Sequence, residues 1–132
     1  LKDCGNFDLP IELPGYRHVY HLYIIETKRP EQRDPFLKFL NDAGIDAKTH
    51  YSIAIHKQPG YPWGKGARVA GPVPYAEANA ACCISLPMFP ELTEAEVDYV
   101  IAKVKEWDQA NAATAMAGPG VARAGKTCSC CS

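Results

Sequence analysis

The side chains best suited to chemistry lie in one stretch of the chain. His50 and Tyr51 are adjacent, and His56, Gln58 and Tyr61 follow shortly after them. Their donors and acceptors suit hydroxylated or phosphorylated ligands. The stretch is therefore predicted to form a polar rim that contacts a small-molecule substrate.

A metal site and a purely structural role are alternatives for the same residues. His50 and His56 are six positions apart, whereas histidine pairs that bind zinc from one element lie closer in sequence. Neighbouring cysteine or carboxylate ligands that would complete a zinc site are missing from the stretch. Ligand contact is the favoured interpretation, and no metal ligand is assigned.

Sequence motifs of a reaction centre are absent. The glycine-rich stretch around Lys65 and Arg68 matches neither of the common phosphate-binding patterns. These two cations either meet an anionic group of a ligand or are solvated. The G-x-S-x-G pattern is also missing, and no Ser/His/Asp or Cys/His arrangement has supporting context. We expect binding chemistry from this chain and assign no catalytic residue.

The six cysteines fall into three groups, of which Cys4 by itself is the first. Cys82 and Cys83 lie in an alanine-rich run and are predicted to be buried, reduced thiols of a cytoplasmic protein. Cys128, Cys130 and Cys131 lie in the last five positions of the chain, where they either chelate a soft metal or belong to an unstructured segment. A closed zinc site needs four ligands, which favours the unstructured segment.

The elements that must position the polar stretch alternate between strand and helix. Arg17 to Thr27 is rich in β-branched and aromatic residues, which predicts a buried strand. A helix is predicted from Asp34, as N-cap before Pro35, to Ala43, with Gly44 ending it. Residues 45–51 are then predicted to form a second strand. A strand, helix and strand in this order favour an α/β fold.

The second half of the chain begins with a long irregular segment, residues 52–74, of the kind that forms binding loops. A short helix at residues 75–83 and a short strand at residues 84–86 are predicted to follow. Thr93 and Glu96 then form a capping box. It opens a helix that is predicted to end at Trp107, with apolar residues at the helical spacing on one face (Val97, Val100, Ile101 and Val104).

Length and composition indicate one globular domain with flexible ends. The chain has 132 residues, of which 47% are hydrophobic and 22% charged. Its net charge of −1 argues against nucleic acid or anionic membranes as partners, and no apolar run is long enough to span a bilayer. We expect an extended lead-in at 1–16, a folded domain at 17–107 and a disordered segment at 108–132. Because the chain begins at Leu1 without methionine, we expect a fragment, a processed product or an incomplete gene model.

Five segments in order resemble the C-terminal small domain of the DegT/DnrJ/EryC1/StrS aminotransferases. These enzymes depend on pyridoxal phosphate and often act on nucleotide-linked keto-sugars. The similar segments cover about two thirds of the chain: HLYII at 21–25, RDPFLKFLNDAGIDAKTHY at 33–51, H-x-Q-P-x-Y at 56–61, PYAEANA at 74–80 and SLPMFPELTEAEVDYVI at 85–101. The resemblance implies the small α+β domain of the fold-type I transferases, with helices packed on a mostly antiparallel sheet.

The same resemblance implies roles for individual residues. The family's stretch that lines the substrate entrance corresponds to His50, Tyr51, His56, Gln58 and Tyr61. These five residues would contact the sugar nucleotide or the amino donor, whereas His21 and Tyr23 would support the sheet. Ser52 departs from the family, which usually has proline at this position. The implied partners are the enzyme's large domain, with its pyridoxal phosphate, and a second subunit of a homodimer.

None of the chain's lysines lies in the family's cofactor-lysine context. The large domain supplies that lysine, the acid that pairs with the pyridine nitrogen and the phosphate-binding groups. We therefore expect this chain to be the C-terminal part of an aminotransferase and to be inactive alone. The alternatives are a stand-alone binding or assembly module derived from such a domain, a relative that uses the scaffold for dehydration, and a metal-binding protein that uses the C-terminal cysteines.

Overall fold

A small antiparallel sheet with helices packed against it forms the centre of the molecule. The computed structural model describes residues 1–62 and 64–112. In the described residues the order of elements is β1 (Phe7–Asp8), β2 (Tyr23–Thr27), α1 (Pro30–Asp42), a 3-10 turn (Ile55–Lys57), α2 (Pro74–Cys82), β3 (Cys83–Leu86) and α3 (Glu94–Ala110). The strands lie in the order β1-β2-β3, and both pairs are antiparallel. This architecture confirms the predicted fold class.

The first long strand is shorter than predicted. Strand β2 begins at Tyr23, opposite Leu86 of β3, so the prediction was wrong for residues 17–22. Strand β3 ends at Leu86, so in the described structure no strand residue lies opposite the residues before Tyr23. Aromatic and β-branched residues therefore continue upstream of the point where strand pairing is possible.

The predicted strand at residues 45–51 is also wrong. Ile45 and Ala47 are buried there, as alternation predicts, but Lys48 forms only an isolated bridge to Ser85. The Ile45 amide bonds to the Leu40 carbonyl and the Ala47 amide to the Ile45 carbonyl. Because local contacts use these amides, the segment packs beside β3 without becoming a fourth strand.

Helix α1 begins five residues before the predicted first helical residue, Pro35. Its first residue is Pro30, so Asp34 is not the N-cap and Pro35 lies within the helix. The end is as predicted, because Gly44 adopts a φ of +79°. Its amide bonds to the Asn41 carbonyl while the Ile45 amide bonds to the Leu40 carbonyl, which is the Schellman arrangement.

The capping box predicted at the start of α3 is confirmed. The Thr93 hydroxyl accepts from the Glu96 amide at 3.3 Å, and the Glu96 carboxylate accepts from the Thr93 amide at 2.8 Å. The helix continues to Ala110, three residues into the segment predicted to be disordered. That boundary is corrected, and the terminal cysteines lie outside the described residues.

Aromatic rings connect the elements in the core. Phe36 of α1 is fully buried. The centroid of its ring lies 4.6 Å from the ring centroid of Phe7 and 5.4 Å from that of Trp107. Cys82 and Cys83 are buried, as predicted, at the junction of α2 and β3. Phe7 belongs to the predicted lead-in, so this lead-in supplies both an edge strand and part of the core.

A polar network fastens the N-terminal segment to the end of α3. The Asp108 carboxylate accepts hydrogen bonds from the amides of Gly5 at 3.0 Å and Asn6 at 2.8 Å, and from Asn6 Nδ2 at 3.0 Å. Asn6 is buried, and its Oδ1 accepts from Gln32 Nε2 at 3.1 Å. The network joins residues about one hundred positions apart, which is why sequence patterns did not indicate it.

None of the helices in the described part of the chain is long and apolar enough to cross a bilayer.

Candidate functional site

The five predicted site residues lie in three different environments. His50 lies beside β3, where its Nδ1 is 2.8 Å from the Ser85 hydroxyl. The next residue, Tyr51, is 74% exposed and meets the His50 ring edge-on, at 5.8 Å between centroids. The bond between these two residues is a cis peptide. This pair therefore presents one anchored imidazole and one solvent-facing phenol.

His56 and Tyr61 line a shallow cavity of about 310 Å³. The third polar lining residue is Arg68, and the rest of the lining is apolar: Ile55, Val69, Ala70, Val73 and Ala76. A cation, an imidazole and a phenol beside apolar side chains can hold an anionic, hydroxylated ligand. Among the residues of the described structure, His50, Tyr51 and Gln58 are not part of this lining.

Gln58 supports the loop from within. Its side-chain Nε2 donates to the Ile53 carbonyl at 3.1 Å, and its backbone carbonyl accepts from the Tyr61 amide at 3.1 Å. These bonds fold residues 53–61 into a local turn around the 3-10 segment. In this structure Gln58 shapes the loop that carries His56 and Tyr61.

Glu77 of α2 contacts one of the predicted site residues, and its role was not predicted from the sequence. Its Oε1 lies 2.9 Å from His56 Nε2 and its Oε2 lies 2.7 Å from Lys57 Nζ. The hydrogen bond from the Lys57 ammonium, followed by that from His56, lowers the pKa of the Glu77 carboxyl below its usual value of 4.5. The contacts span about twenty residues, so spacing within one element did not reveal them.

A larger groove of about 880 Å³ lies between the N-terminal segment, β2 and α2. Its apolar lining comes from the N-terminal segment, β2 and α2 and includes Phe7, Leu9, Ile11, Ile24, Ala78 and Cys82. Charged side chains at its border are Lys2, Asp8, Glu26 and Lys28. The groove is mostly apolar, unlike the polar rim of the smaller cavity.

Within residues 1–62 and 64–112, no cluster of three histidine, cysteine or acidic side chains is arranged to hold a metal ion. Burial raises the pKa of the Cys83 thiol above its usual value, which disfavours the thiolate that metals bind.

Comparison with known proteins explains this combination of features. Residues 1–105 match the DegT/DnrJ/EryC1/StrS aminotransferase family. The chain belongs to that family. This finding confirms the resemblance, and the match begins at residue 1, so it includes the N-terminal segment that forms β1.

Named relatives and solved structures agree with the family assignment. The Streptomyces venezuelae dTDP-3-amino-3,4,6-trideoxy-alpha-D-glucose transaminase is 36% identical over 107 residues, which cover 81% of this chain and 27% of that protein. A Geobacillus stearothermophilus protein named pleiotropic regulatory protein is 39% identical over 103 residues, which cover 74% of this chain and 25% of that protein.

Crystal structures of family members superpose on the described fold. S. venezuelae DesV, solved in complex with a ketimine intermediate, has a TM-score of 0.70 and 34% identity, with 81% of this chain and 28% of that chain covered. A Brucella abortus DegT/DnrJ/EryC1/StrS aminotransferase has a TM-score of 0.67 and 29% identity, with 78% and 26% covered. This family member thus spans about a quarter of the length of the relatives it matches.

Proposed function

We propose that this chain is the C-terminal part of a pyridoxal-phosphate-dependent aminotransferase that acts on a keto-sugar nucleotide. The amino group would come from an amino acid, with glutamate as the proposed donor. Support comes from the relatives' names, which include a dTDP-aminosugar transaminase, and from the coverage, because the chain spans about a quarter of their length. The folded unit proposed for this role is residues 17–107, extended by the N-terminal segment that the family match includes.

The observation that carries the proposal is the cavity shared by His56, Tyr61 and Arg68. Arg68 supplies a positive charge for a phosphate, while the imidazole and the phenol offer hydrogen bonds to sugar hydroxyls. Tyr51 would add an exposed phenol, His50 an imidazole held by Ser85, and Gln58 the local fold of the loop. In this proposal the five residues bind and orient the substrate.

The described side chains do not fit pyridoxal phosphate itself. A cofactor-holding lysine lies in a closed site, often with a lowered pKa, whereas the described lysines are exposed except for Lys103. That lysine is half-buried on α3, and its hydrogen bond from Nζ to the Glu106 carboxylate raises its pKa above the usual value. We therefore propose that the large domain holds the cofactor, which supplies the electron sink for amino transfer.

Exposed apolar residues support contact with that large domain. Ile11, Leu13, Tyr16 and Val19 are each more than half exposed in the N-terminal segment, and the apolar groove continues from Ile11. Such surface is typical of a face that another domain covers. We expect the chain by itself to self-associate, and light scattering would measure this. A strictly monomeric chain with one sharp unfolding transition would contradict the proposal that a partner domain is missing.

The deciding experiment is expression of the whole coding region that contains this chain. We expect upstream sequence with a large domain and an enzyme that transfers the amino group of glutamate to a dTDP-keto-sugar. In that enzyme, Tyr61→Phe and Arg68→Gln raise KM for the sugar nucleotide, whereas the control Tyr75→Phe, on the exposed start of α2, does not. Failure to find a large domain, or unchanged KM in both site variants, would refute the proposal.

A second experiment tests the proposed inactivity of the chain alone. Pyridoxal phosphate is added to the 132-residue protein, and the visible absorbance of a lysine-bound cofactor is measured. We expect no specific band, because the described lysines lack a closed site. A saturable band that one lysine substitution abolishes would show that the chain holds the cofactor by itself.

A non-catalytic binding module is the second candidate, because the 39%-identical relative is named a regulatory protein. A start codon directly before Leu1, together with a stable monomer, would favour it over the enzyme part.

For either candidate we propose a cytoplasmic location, since Cys4 and Cys83 are free thiols. For the enzyme we also propose a homodimer, which sedimentation of the complete protein would test.

A further inference from the structure

Glu77 lies where one carboxylate can control the geometry of the ligand cavity. Both of its oxygens are engaged, by His56 at 2.9 Å and by Lys57 at 2.7 Å. The two partners are neighbours in the 3-10 turn, whereas Glu77 belongs to helix α2, about twenty residues later. Val73, directly before α2, and Ala76 of α2 line the cavity, and so do Ile55 and His56 of the 3-10 turn. The Glu77 carboxylate therefore joins two separate elements that line the cavity.

Helix α2 is a firm support for this carboxylate. Ala80 and Cys82 of the helix are buried, and the Ala80 carbonyl accepts from Arg33 Nη1 of α1 at 2.7 Å. Asn79 Nδ2 also donates to Glu26 Oε1 of β2 at 2.7 Å. The 3-10 turn, by contrast, contains no buried residue. Besides the local bonds of Gln58, the contacts with Glu77 therefore fasten the turn to the helix.

The chemistry of the contact also sets the hydrogen positions on His56. An ionised carboxylate only accepts hydrogen bonds, and the pKa of Glu77 is lowered, so His56 Nε2 must carry the proton that it donates. In the neutral imidazole the other nitrogen, Nδ1, then has a free lone pair. Nδ1 is left to accept a hydrogen bond from a ligand.

We propose that Glu77 is a positioning residue that orients His56 for the substrate. It holds the ring through Nε2, fixes the 3-10 turn through Lys57 and leaves Nδ1 to accept from a hydroxyl of the sugar. The assignment of Nδ1 to a sugar hydroxyl rests on the proposed function, whereas the control of the His56 ring by Glu77 does not. The side chain of His56 is 18% exposed, so its surroundings restrict the ring as this role requires.

The first test reads the His56 ring in this chain without any enzyme assay. Hydrogen–deuterium exchange at the imidazole C2 carbon is followed by mass spectrometry in wild type, Glu77→Ala, Lys57→Met and the control Glu91→Ala. We expect Glu77→Ala to lose the protection of His56, so that its exchange approaches that of exposed His21. Lys57→Met and Glu91→Ala keep the protection, and His21 is unchanged in all four proteins.

Two results of this test overturn the proposal. One is equal exchange of His56 and His21 in the wild type, because the ring would then not be held. The other is unchanged His56 protection in Glu77→Ala. If Glu77→Ala does not fold, as circular dichroism would show, Glu77→Gln replaces it. This variant keeps the shape and removes the charge, and it must show partial loss of His56 protection for the proposal to stand.

The second test separates this role from the proposed function. In an active complete enzyme, Glu77→Ala raises KM for the sugar nucleotide about tenfold and changes kcat less than about twofold, as expected for lost substrate binding. An unchanged KM in an active enzyme overturns the substrate role of Glu77. A complete protein without transaminase activity refutes the proposed function instead, and the exchange experiment still decides whether Glu77 controls the ring.

Discussion

Replacing Asp108 with alanine should loosen the N-terminal segment from the core. The carboxylate accepts three hydrogen bonds, two of them from the buried Asn6 and one from the Gly5 amide. Asn6 Nδ2 keeps a second acceptor in the Asp108 carbonyl at 3.2 Å, but the Asn6 amide loses its partner. The variant thus leaves the buried Asn6 amide without its acceptor and removes one of the two acceptors of Asn6 Nδ2.

The magnitude follows from opposing effects. A hydrogen bond to a charged group contributes about 1.5–3 kcal/mol, and the two Asn6 bonds are the shielded ones. Asp108 lies in the last turn of α3, where a negative charge opposes the helix dipole, so its removal returns about 0.5 kcal/mol. The hydrogen bonds dominate, and we expect Asp108→Ala to lower the free energy of unfolding by about 2–3 kcal/mol.

Equilibrium urea unfolding at low protein concentration measures this change through tryptophan fluorescence, to which Trp107 contributes from beside Phe36 and Phe39. The matched control is Asp98→Ala, an exposed aspartate on the same helix, which should change stability by less than about 0.5 kcal/mol. Equal unfolding midpoints for the two variants would refute the reasoning. Faster deuterium exchange of the Lys28 amide, which bonds to the Asn6 carbonyl, should accompany the loss in Asp108→Ala.

Three further predictions concern the helix ends and the acid range. Thr93→Ala removes the capping box and should cost about 1 kcal/mol in urea unfolding, whereas Thr93→Ser should cost less; equal loss in both would contradict the cap. Gly44→Ala should cost about 1 kcal/mol, because Gly44 has a φ of +79° that alanine adopts with strain, and an unchanged midpoint would refute this. The side-chain and backbone hydrogen bonds from Thr93 lower the pKa of Glu96 below 4.5 in the folded chain, so its stabilising contribution is full above that pH and is lost as pH falls through the lowered value. Unfolding of wild type and Glu96→Gln as a function of pH should show the difference between them shrinking below pH 4.5, and a constant difference would contradict the cause.

Much of the local structure was predictable from residue types next to each other. The capping box of Thr93 and Glu96 and the terminating Gly44 depend only on contacts within a few positions of the chain. The burial of Cys82 and Cys83 followed from their apolar neighbours. The family was also recognisable from the order of its segments, and the match to residues 1–105 confirms it.

The roles proposed for the site residues depend on contacts that the sequence could not indicate. His50 and His56 are six positions apart, yet one is held by Ser85 and the other by Glu77. Each partner belongs to a different later element, so the division of the polar stretch follows from how those elements pack. The five residues were predicted as one rim, and their contact with substrate stays a prediction.

By itself the sequence determined the end of α1, the start of α3, the buried cysteines, the fold class and the family, because these depend on local geometry, hydrophobic pattern and segment order. The tertiary structure decided where strands end, since a strand needs a paired neighbour, and β3 ends at Leu86, opposite Tyr23. It also decided that Phe7 enters the core and that Asp108 holds Asn6. Contacts across a hundred residues arise only when the chain has folded, because burial then makes each unpaired donor costly.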